Sequence, residues 1–324
     1  MKFSRRRLLQ LALGAAAPAV VVRRASAEGY PSRPVHILFG FPPGGNDVFA
    51  RLIGQWLSVR LGQSFVVDNR PGAASNIATE IAVRSAPDGY TLLFFGTASA
   101  INAALYDKLN FDFTRDIAPV AGIAGVPLVL EVHPSVPAKT VSELIAYTKA
   151  NPGKLNYASP GNGTVPHVAG ELFKMMAGVE MAHVPFRGDA PAMTALLGGQ
   201  VQVYLGTLSG SIAHIRSGEI RALAVTTRTR VEVLPELPPV NDVLPGFEAS
   251  VWFGIGAPKD TPVDIVGKLN SEVNAGLADP KMKAKFADLG GDALAMAPAD
   301  FGALIAQETA KWGKVIRTTG IRID

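Results

Sequence analysis

Glycine, serine, threonine and asparagine concentrate in loops that each follow an apolar run and precede a helical pattern. Four loops in this position occupy residues 41–47, 96–102, 159–167 and 186–189, and three of the four are rich in these residues. They can point backbone N–H groups at a ligand, and the following helix adds about half a positive charge at its N-terminus. One loop alone would equally fit an ordinary turn with helix-capping residues. Their recurrence favours non-covalent binding of an anion, such as a carboxylate or a phosphate.

Two of these loops contain side chains with more specific predicted roles. Residues 159–164 combine two glycines, which permit close backbone approach, with two hydroxyl donors. Asp47 stands at a helix start, where we expect it to be an N-cap that pairs with Arg51 at i,i+4 spacing and has a secondary role toward a ligand. Arg70 and Arg187 fall in loops. Each could contact an anion, and each could equally be a solvent-exposed surface arginine.

The sequence lacks the motifs of nucleotide, nucleophile and zinc-protease sites. It contains no Gly-x-x-x-x-Gly-Lys-Ser/Thr, no Gly-x-Gly-x-x-Gly and no Gly-x-Ser-x-Gly. The absence of cysteine excludes thiol catalysis and disulfides. None of the five histidines has zincin spacing. His36 and His183 fall within strand patterns, and His167 opens a helix, where capping, packing and pocket lining are alternatives. We expect no metal and no cofactor.

The N-terminus has the layout of a secretory signal peptide. A basic start with the twin arginine Arg5-Arg6 precedes a short apolar stretch and the small-x-small site Ala25-Ser26-Ala27. The apolar stretch is shorter than the ~20 residues of a membrane span, which disfavours an uncleaved anchor. We therefore expect export to the periplasm and cleavage near Ala27.

Removal of residues 1–27 changes the charge balance of the chain. These residues contain six of the 31 Lys and Arg residues and none of the 27 Asp and Glu residues, so the net charge falls from +4 to −2. A mature chain of this charge offers no basis for nucleic-acid binding.

The apolar pattern predicts two α/β units of similar size. Strand-like runs at residues 35–39, 65–67 and 90–95 alternate with helical patterns, which indicates a parallel sheet with right-handed crossovers. The alternation restarts at a capping box in residues 140–143. A Pro-rich connection at 234–245 precedes a last strand and helices, which we expect to return to the first unit. In such folds a ligand binds between units, at the carboxyl ends of parallel strands.

Several short motifs follow one another from Tyr30 to the C-terminus. They are Tyr-Pro-Ser-Arg-Pro at 30–34, the loop and helix at 41–51, Val-Asp-Asn-Arg-Pro-Gly-Ala at 67–73, Ala-Pro-Asp-Gly-Tyr-Thr-Leu at 86–92, Ser-Pro-Gly-Asn-Gly at 159–163 with His167, and His-Val-Pro-Phe-Arg-Gly at 183–188. In this order and spacing they resemble the Bug-type receptors, the periplasmic solute-binding subunits of tripartite tricarboxylate transporters.

The resemblance implies an α/β, two-lobed periplasmic binding protein of type II-like architecture. Each lobe would be a mixed, mainly parallel sheet flanked by helices, with the ligand cleft between the lobes. Residues 28–127 and 251–324 would form lobe 1, and residues 128–250 would form lobe 2. The resemblance also implies a receptor that captures a small organic anion and delivers it to membrane transporter subunits. We expect a monomer that is not an enzyme.

Ligand-contacting positions are carried over from the family by motif. The lobe 1 candidates are Phe41, Pro43, Gly44, Gly45, Asn46, Asp47, Thr97 and Ser99. The lobe 2 candidates are Ser159, Gly161, Asn162, Gly163, Thr164, His167, Phe186, Arg187, Asp189 and Thr207. The implied ligand is a mono-, di- or tricarboxylate, aromatic ones included, because Phe41 and Phe186 suit a planar or apolar body.

The loop before Asp47 departs from the family pattern. The family writes Pro-x-Gly-Gly-x-x-Asp-x-x-Ala-Arg, whereas here Asn46 alone separates Gly45 from Asp47. The missing residue should shift backbone amides that face the ligand. Two other functions stay open on sequence grounds: an exported hydrolase using Asp47 and His167, and a ligand-sensing partner of a membrane kinase.

Overall fold

A computed structural model describes residues 29–321 apart from Gly45 and Asp107, and leaves the side chain of Thr319 undescribed. The predicted signal peptide at residues 1–27 lies outside the described residues, as does the predicted ligand contact Gly45. Among the described residues, no helix has both the length and the apolar composition needed to cross a membrane.

Strands and helices alternate along most of the described chain. The strands are β1 Val35–Phe39, β2 Phe65–Asn69, β3 Thr91–Gly96, β4 Ile117–Val132, β5 Asn156–Ser159, β6 Ala182–Pro185, β7 Val203–Thr207, β8 Arg221–Val225, β9 Ser250–Pro258 and β10 Asp292–Ala293. The helices are α1 Asp47–Leu61, α2 Asn76–Val83, α3 Thr97–Leu105, α4 Phe113–Asp116, α5 Val141–Ala150, α6 Val165–Ala177, α7 Asp189–Leu197, α8 Leu208–Ser217, α9 Val263–Ala278, α10 Pro280–Asp288 and α11 Pro298–Thr319.

The strands of the described chain form one mixed sheet in the order β2-β1-β3-β9-β4-β7-β5-β6, with β8 and β10 also paired to β4. Parallel pairing joins β1 to β2 and β3, and joins β5 to β6 and β7. We call the β1, β2 and β3 side, with β9, the first half of the sheet. The second half contains β5, β6, β7 and β8. This is the predicted α/β architecture of mainly parallel units flanked by helices.

The 16-residue strand β4 connects the two halves. From Ile117 to Pro127 it pairs antiparallel with β9, and from Leu128 to Val132 it pairs with β7 and β8. Nearly every residue of β4 is buried, as expected for a strand covered on both faces. The division into lobes at residues 127/128 and 250/251 stays a prediction, although the partner of β4 changes at that point.

The C-terminal helices pack against the first half of the sheet. Helix α9 contacts α1 and β4, whereas α11 contacts α3 and β4. Trp312 of α11 is fully buried, and its indole N–H donates to the Glu308 carboxylate at 2.9 Å. The C-terminal helices therefore lie against the first half of the sheet.

Parallel crossovers place the carboxyl ends of β1, β3, β5 and β7 at the start of the next helix in the chain. Each of these strands ends within a few residues of a helix: α1 after β1, α3 after β3, α6 after β5 and α8 after β7. Three of the loops singled out in the sequence lie at the junctions after β1, β3 and β5, and the fourth, at residues 186–189, joins β6 to α7.

Candidate functional site

One cavity lies between the two halves of the sheet, and we call it the cleft. The end of β1, the end of β3 and residues of β9 border it from the first half, and loops before α6, α7 and α8 border it from the second half. The predicted ligand contacts that border the cleft are Phe41, Pro43, Gly44, Asn46, Thr97, Ser99, Thr164, Arg187, Asp189 and Thr207.

The helix N-termini around the cleft share one property. The N-cap residue of α1, α2, α3, α6, α7 and α8 borders the cleft in every case, and none of these residues caps its helix with a side-chain hydrogen bond. Of the other described α-helices, α4, α5 and α10 are capped by side chains and α9 and α11 are not, and none of their N-caps borders the cleft. The six N-cap residues at the cleft are Asn46, Ser75, Gly96, Thr164, Gly188 and Thr207.

Uncapped helix starts have a definite electrostatic consequence. The first N–H groups of a helix have no intrahelical partner, and the aligned peptide dipoles place partial positive charge beside them. Six such ends at one cavity, from both halves of the sheet, give it donors and a positive potential without a cluster of basic side chains. The cleft is therefore suited to an anion.

A short network holds the loop of residues 41–47 in place. The Asp47 carboxylate accepts a hydrogen bond from the Gly44 N–H at 3.0 Å and one from Arg51 Nε at 2.9 Å. Arg51 in turn donates to the Asn69 side chain at 2.8 Å, and Asn69 donates to the Phe41 carbonyl at 2.8 Å. The predicted Asp47–Arg51 pair is confirmed.

The predicted N-cap role of Asp47 is wrong. The N-cap is Asn46, and Asp47 is the first residue of α1. Its carboxylate points back to Gly44, a residue with φ of 108°, and so fixes the glycine turn rather than the helix end. Asp47 itself does not border the cleft.

The hydroxyl groups of the loop at residues 159–164 hydrogen-bond within the protein. Thr164 borders the cleft, but its Oγ1 donates to the Gly161 carbonyl at 2.7 Å. Ser159 is fully buried, where its Oγ accepts from the Gly161 N–H at 3.1 Å and shares a 2.6 Å hydrogen bond with His183 Nε2. The predicted contacts Ser159, Gly161, Asn162, Gly163, His167 and Phe186 do not border the cleft.

His167 and His183 stack behind this loop, with ring centroids 4.1 Å apart. Burial lowers the pKa of His167 to about 4; the Glu171 carboxylate partly opposes this shift, and the Lys174 ammonium adds to it. Burial also lowers the pKa of His183 to about 3, and the neighbouring His167 adds to this effect. His167 Nδ1 accepts the Gly163 N–H at 3.2 Å. Both rings are therefore neutral near pH 7 and support the loop from behind.

Two charged side chains border the cleft from the second half. Arg187 is exposed, whereas Asp189 accepts a hydrogen bond from the Tyr204 hydroxyl at 2.8 Å. Burial raises the pKa of the Asp189 carboxyl, and its hydrogen bond to Tyr204 opposes that shift. Asp189 also borders a second groove between α7 and α8.

Sequence reasoning missed part of the cleft wall. Ser75 lies directly before α2, and Val251 and Phe253 come from β9. In the sequence, Ser75 looks like any serine before a helix. What sets it apart is the missing capping hydrogen bond, which follows from its backbone angles and cannot be predicted from the sequence. No sequence signal places β9, because its strand neighbours are far away in the chain.

The sequence matches known proteins along most of its length. The profile of the family described as "Tripartite tricarboxylate transporter family receptor" matches residues 49–321. Protein BugT of Bordetella pertussis is 35% identical over 311 residues, which cover 95% of each chain.

Two solved structures with named ligands are similar to this fold. The structure titled "R. palustris Rpa4515 with adipate" has a TM-score of 0.88 and 38% identity, covering 90% of this chain and 99% of its own. The structure of MatC from Rhodopseudomonas palustris with bound malate has a TM-score of 0.83 and 31% identity, covering 89% of this chain and all of its own.

Proposed function

Because this chain belongs to the tripartite tricarboxylate transporter receptor family, we propose that it is a periplasmic receptor for a small organic carboxylate. It would bind the carboxylate in the cleft and deliver it to the membrane subunits of a tripartite tricarboxylate-type transporter. The observation that carries the proposal is the convergence of six helix N-termini, uncapped by side chains, on one cavity.

The walls of the cleft favour an organic anion over a free inorganic one. Between the helix starts, the wall is formed by apolar groups, among them Phe41, Pro42, Pro160 and Val251. Such groups pack against a carbon skeleton while backbone N–H groups hold a carboxylate. The ligands named for the two similar structures, adipate and malate, are both dicarboxylates. We propose a mono-, di- or tricarboxylate, aromatic ones included, for this protein.

Contacts across the cleft support capture by closure of one half on the other. Ser209 Oγ, in the first turn of α8, donates to Asn46 Oδ1 at 2.7 Å. A methyl group at Gly188 would lie 3.4 Å from the Pro42 ring. A ligand that bridges helix N-termini from both halves would stabilise this arrangement, as in hinge closure of binding proteins. We propose that two bodies move relative to each other: lobe 1, residues 28–127 with 251–324, and lobe 2, residues 128–250.

The shortened loop takes part in the closing contact. Asn46 is the one residue between Gly45 and Asp47, where the family has two. Its side-chain oxygen accepts the hydrogen bond from the Ser209 hydroxyl. We propose that the shortening brings Asn46 within reach of α8 and narrows the range of accepted carboxylates.

Hydrolysis by Asp47 and His167 is not favoured. Neither residue borders the cleft, the Asp47 carboxylate is held by Gly44 and Arg51, and His167 Nδ1 accepts a backbone N–H. We propose a receptor without catalytic activity. A sensing role would use the same cleft, and identification of the membrane partner by co-purification distinguishes it from transport.

A thermal-shift screen of the mature protein against carboxylates tests the proposal. A ligand at 100 times its dissociation constant should add about 2.7 kcal/mol to the free energy of unfolding and raise the melting temperature. The uncharged amide of each active carboxylate is the matched control, and we expect it to have no effect. If amides stabilise as strongly as acids, or if no carboxylate stabilises, the proposed ligand class is wrong.

A further inference from the structure

The described chain passes between the two halves of the sheet at two adjacent places. The first passage is in β4, which pairs with β9 up to Pro127 and with β7 and β8 from Leu128 onward. The return passage leads from Ala249 into β9 at Ser250. Pro127 pairs with Ser250, so the two passages lie side by side. Movement of one half against the other therefore has to bend the chain at both passages.

Thr226 makes hydrogen bonds to both passages. It directly follows β8 and is fully buried. Toward the first passage, its N–H donates to the Leu128 carbonyl at 3.0 Å, and its Oγ1 accepts the Leu128 N–H at 3.1 Å. Toward the return passage, its Oγ1 donates to the Ala249 carbonyl at 2.6 Å, and its carbonyl accepts the Ala249 N–H at 3.1 Å. One residue thus bonds to the N–H and the carbonyl of Leu128 and of Ala249.

The hydroxyl group of Thr226 connects the two passages through a single atom. A threonine hydroxyl has one hydrogen to donate and can also accept. Its Oγ1 lies 2.6 Å from the Ala249 carbonyl oxygen and 3.0 Å from that of Leu128, so the nearer carbonyl takes the hydrogen. Thr226 borders neither the cleft nor the second groove. Its hydroxyl is therefore engaged between backbone groups and is not a ligand contact.

A threonine of the first half holds the other side of the return passage. Thr97 is the first residue of α3, and its Oγ1 accepts the Trp252 N–H at 2.9 Å. The same hydroxyl donates to the Ser250 carbonyl at 3.4 Å. The return passage is thus anchored to the second half at Ala249 and to the first half at Ser250 and Trp252. A change in the angle between the halves is confined to the few backbone bonds between these anchors.

Two connections that are tied together restrict the relative motion of the halves. If each passage bent independently, the halves could also twist and slide, and the helix starts of both halves would seldom face the same ligand. A tie between the passages leaves opening and closing as the main motion, with a few residues absorbing the change of backbone angles. A protein restricted to this motion loses less conformational freedom when a ligand closes it.

We propose that Thr226 is a positioning residue for ligand capture, because its hydroxyl ties the two interlobe passages so that they bend together. The inference rests on the proposed function, since the tie affects binding only if the halves close on a ligand. It adds a residue that sets affinity from outside the cleft.

The first test is calorimetric titration of the mature protein with adipate, malate, succinate, citrate and benzoate, at a temperature where every variant is folded. Thr226→Val keeps the shape of the side chain and removes the hydroxyl. It should weaken binding about threefold to tenfold, the effect of about one hydrogen bond. Thr226→Ala leaves space in which water can reach Leu128 and Ala249, so it keeps the test available if the valine variant does not fold.

Two control variants separate the tie from other effects of the substitution. Thr226→Ser retains the hydroxyl and should bind within twofold of wild type. Thr227→Val changes the neighbouring threonine, whose hydroxyl donates to the Thr229 carbonyl at 2.7 Å and bonds to neither passage. It should also bind as wild type does. A loss of packing alone would weaken binding in the serine variant as well.

A distance measurement between the halves reports the motion itself. The chain contains no cysteine, so spin labels can be placed at two introduced cysteines. Val59→Cys lies on α1, which contacts β1 and β2, and Met175→Cys lies on α6, which contacts β5 and β7; both side chains are exposed. Pulsed electron paramagnetic resonance should show a distance that shifts and narrows with ligand. The ligand-free Thr226→Val protein should have a broader distribution than ligand-free wild type.

The outcomes distinguish this inference from the proposed function. If wild type binds a carboxylate and Thr226→Val binds within twofold of it, the tie does not set affinity and the proposed function stands. If the valine variant binds more weakly but its distance distribution matches wild type, or if the wild-type distance does not change with ligand, the hydroxyl does not act through closure. If wild type binds none of the five acids, the proposed function fails, and this inference fails with it.

Discussion

Hydroxyl groups around the cleft divide by what they contact. Those of Thr97, Ser159 and Thr164 bond to backbone groups or to His183, and so hold loops and strands together. Ser75 and Ser99 also border the cleft, but their Oγ atoms are buried and have no partner among the described residues. Residue type alone does not separate the two groups, because the difference arises from backbone angles and from neighbours that are distant in sequence.

Ser209→Ala removes the hydrogen bond that spans the cleft to Asn46. Since this bond joins the two halves across the cleft, we expect faster ligand dissociation, about threefold to tenfold, with little change in association. Stopped-flow displacement measures the rate. Ser217→Ala, at the other end of α8, is the control. An unchanged dissociation rate would mean that the contact does not hold the closed form.

His183→Gln tests the pair of stacked histidines. The folded-state pKa of His183 is about 3 and that of His167 about 4, both below the usual 6.5. The unfolded chain therefore binds protons below pH 6.5 that the folded chain does not. This lowers the free energy of unfolding as the pH falls from 6.5 toward 4, and leaves it intact above 6.5.

The variant lacks one of these two titrating groups. Its stability relative to wild type should thus rise by about 1 kcal/mol per pH unit between pH 6.5 and 5. Urea unfolding at pH 7, 6 and 5 measures the difference. Because both proteins share Glu131 and Asp189, whose raised pKa values act in the opposite direction, the difference isolates the histidine. A difference that is constant with pH would show that His183 is not held neutral.

At the scale of elements, the site is a set of strand-to-helix junctions. Strand β1 and helices α5 and α6 occur where the sequence predicted them, because apolar periodicity, a capping box and terminal glycines are local signals. The loop at residues 96–102, predicted from its composition, is instead largely the start of α3.

The features that the sequence did not predict depend on contacts between residues far apart in the chain. The length of β4 and the insertion of β9 between β3 and β4 depend on partners more than a hundred residues apart in sequence. The Ser75 conformation depends on Gly40 and on two preceding residues with positive φ. Local patterns therefore predicted part of the cleft wall, but not which polar atoms there lack a partner within the described residues.

Gly188→Ala tests the N-terminus of α7. Gly188 has φ of 116°, and a methyl group there would lie 3.4 Å from Pro42 across the cleft. We expect a loss of about 1 kcal/mol or more in stability from the positive φ, together with weaker carboxylate binding because relief of the strained φ would shift the first N–H groups of α7.

Gly153→Ala is the matched control for this variant. Gly153 also has positive φ, at 70°, but a methyl group there would contact nothing within 4 Å, and the residue does not border the cleft. It should lose stability and keep wild-type affinity, as titration calorimetry and chemical unfolding will measure. Equal affinity in both variants would remove the α7 start from the binding site.

At the scale of the whole molecule, the chain combines two parallel α/β halves, a shared long strand and C-terminal helices that return to the first half. The cleft between the halves takes helix N-termini from both, so a bound anion lowers the energy of the closed arrangement more than that of an open one. We expect the receptor to act as a monomer that presents its closed form to membrane subunits.

The predicted signal peptide at residues 1–27 determines where the whole chain is located. If the first 27 residues are a Tat-type signal peptide, protein recovered from the periplasm should begin at Glu28. Arg5→Lys combined with Arg6→Lys should leave full-length precursor in the cytoplasm. N-terminal sequencing and fractionation measure both outcomes. Normal export of the double variant would exclude the twin-arginine route.

The most direct test of the account is a crystal structure of the mature protein with the carboxylate that stabilises it most. We expect one carboxylate group in the cleft, with its oxygens 2.7–3.2 Å from backbone N–H groups at the helix starts after Asn46, Gly96, Gly188 or Thr207. A carboxylate bound outside the cleft, or held there by Arg187 alone without any helix N-terminus, would contradict the account.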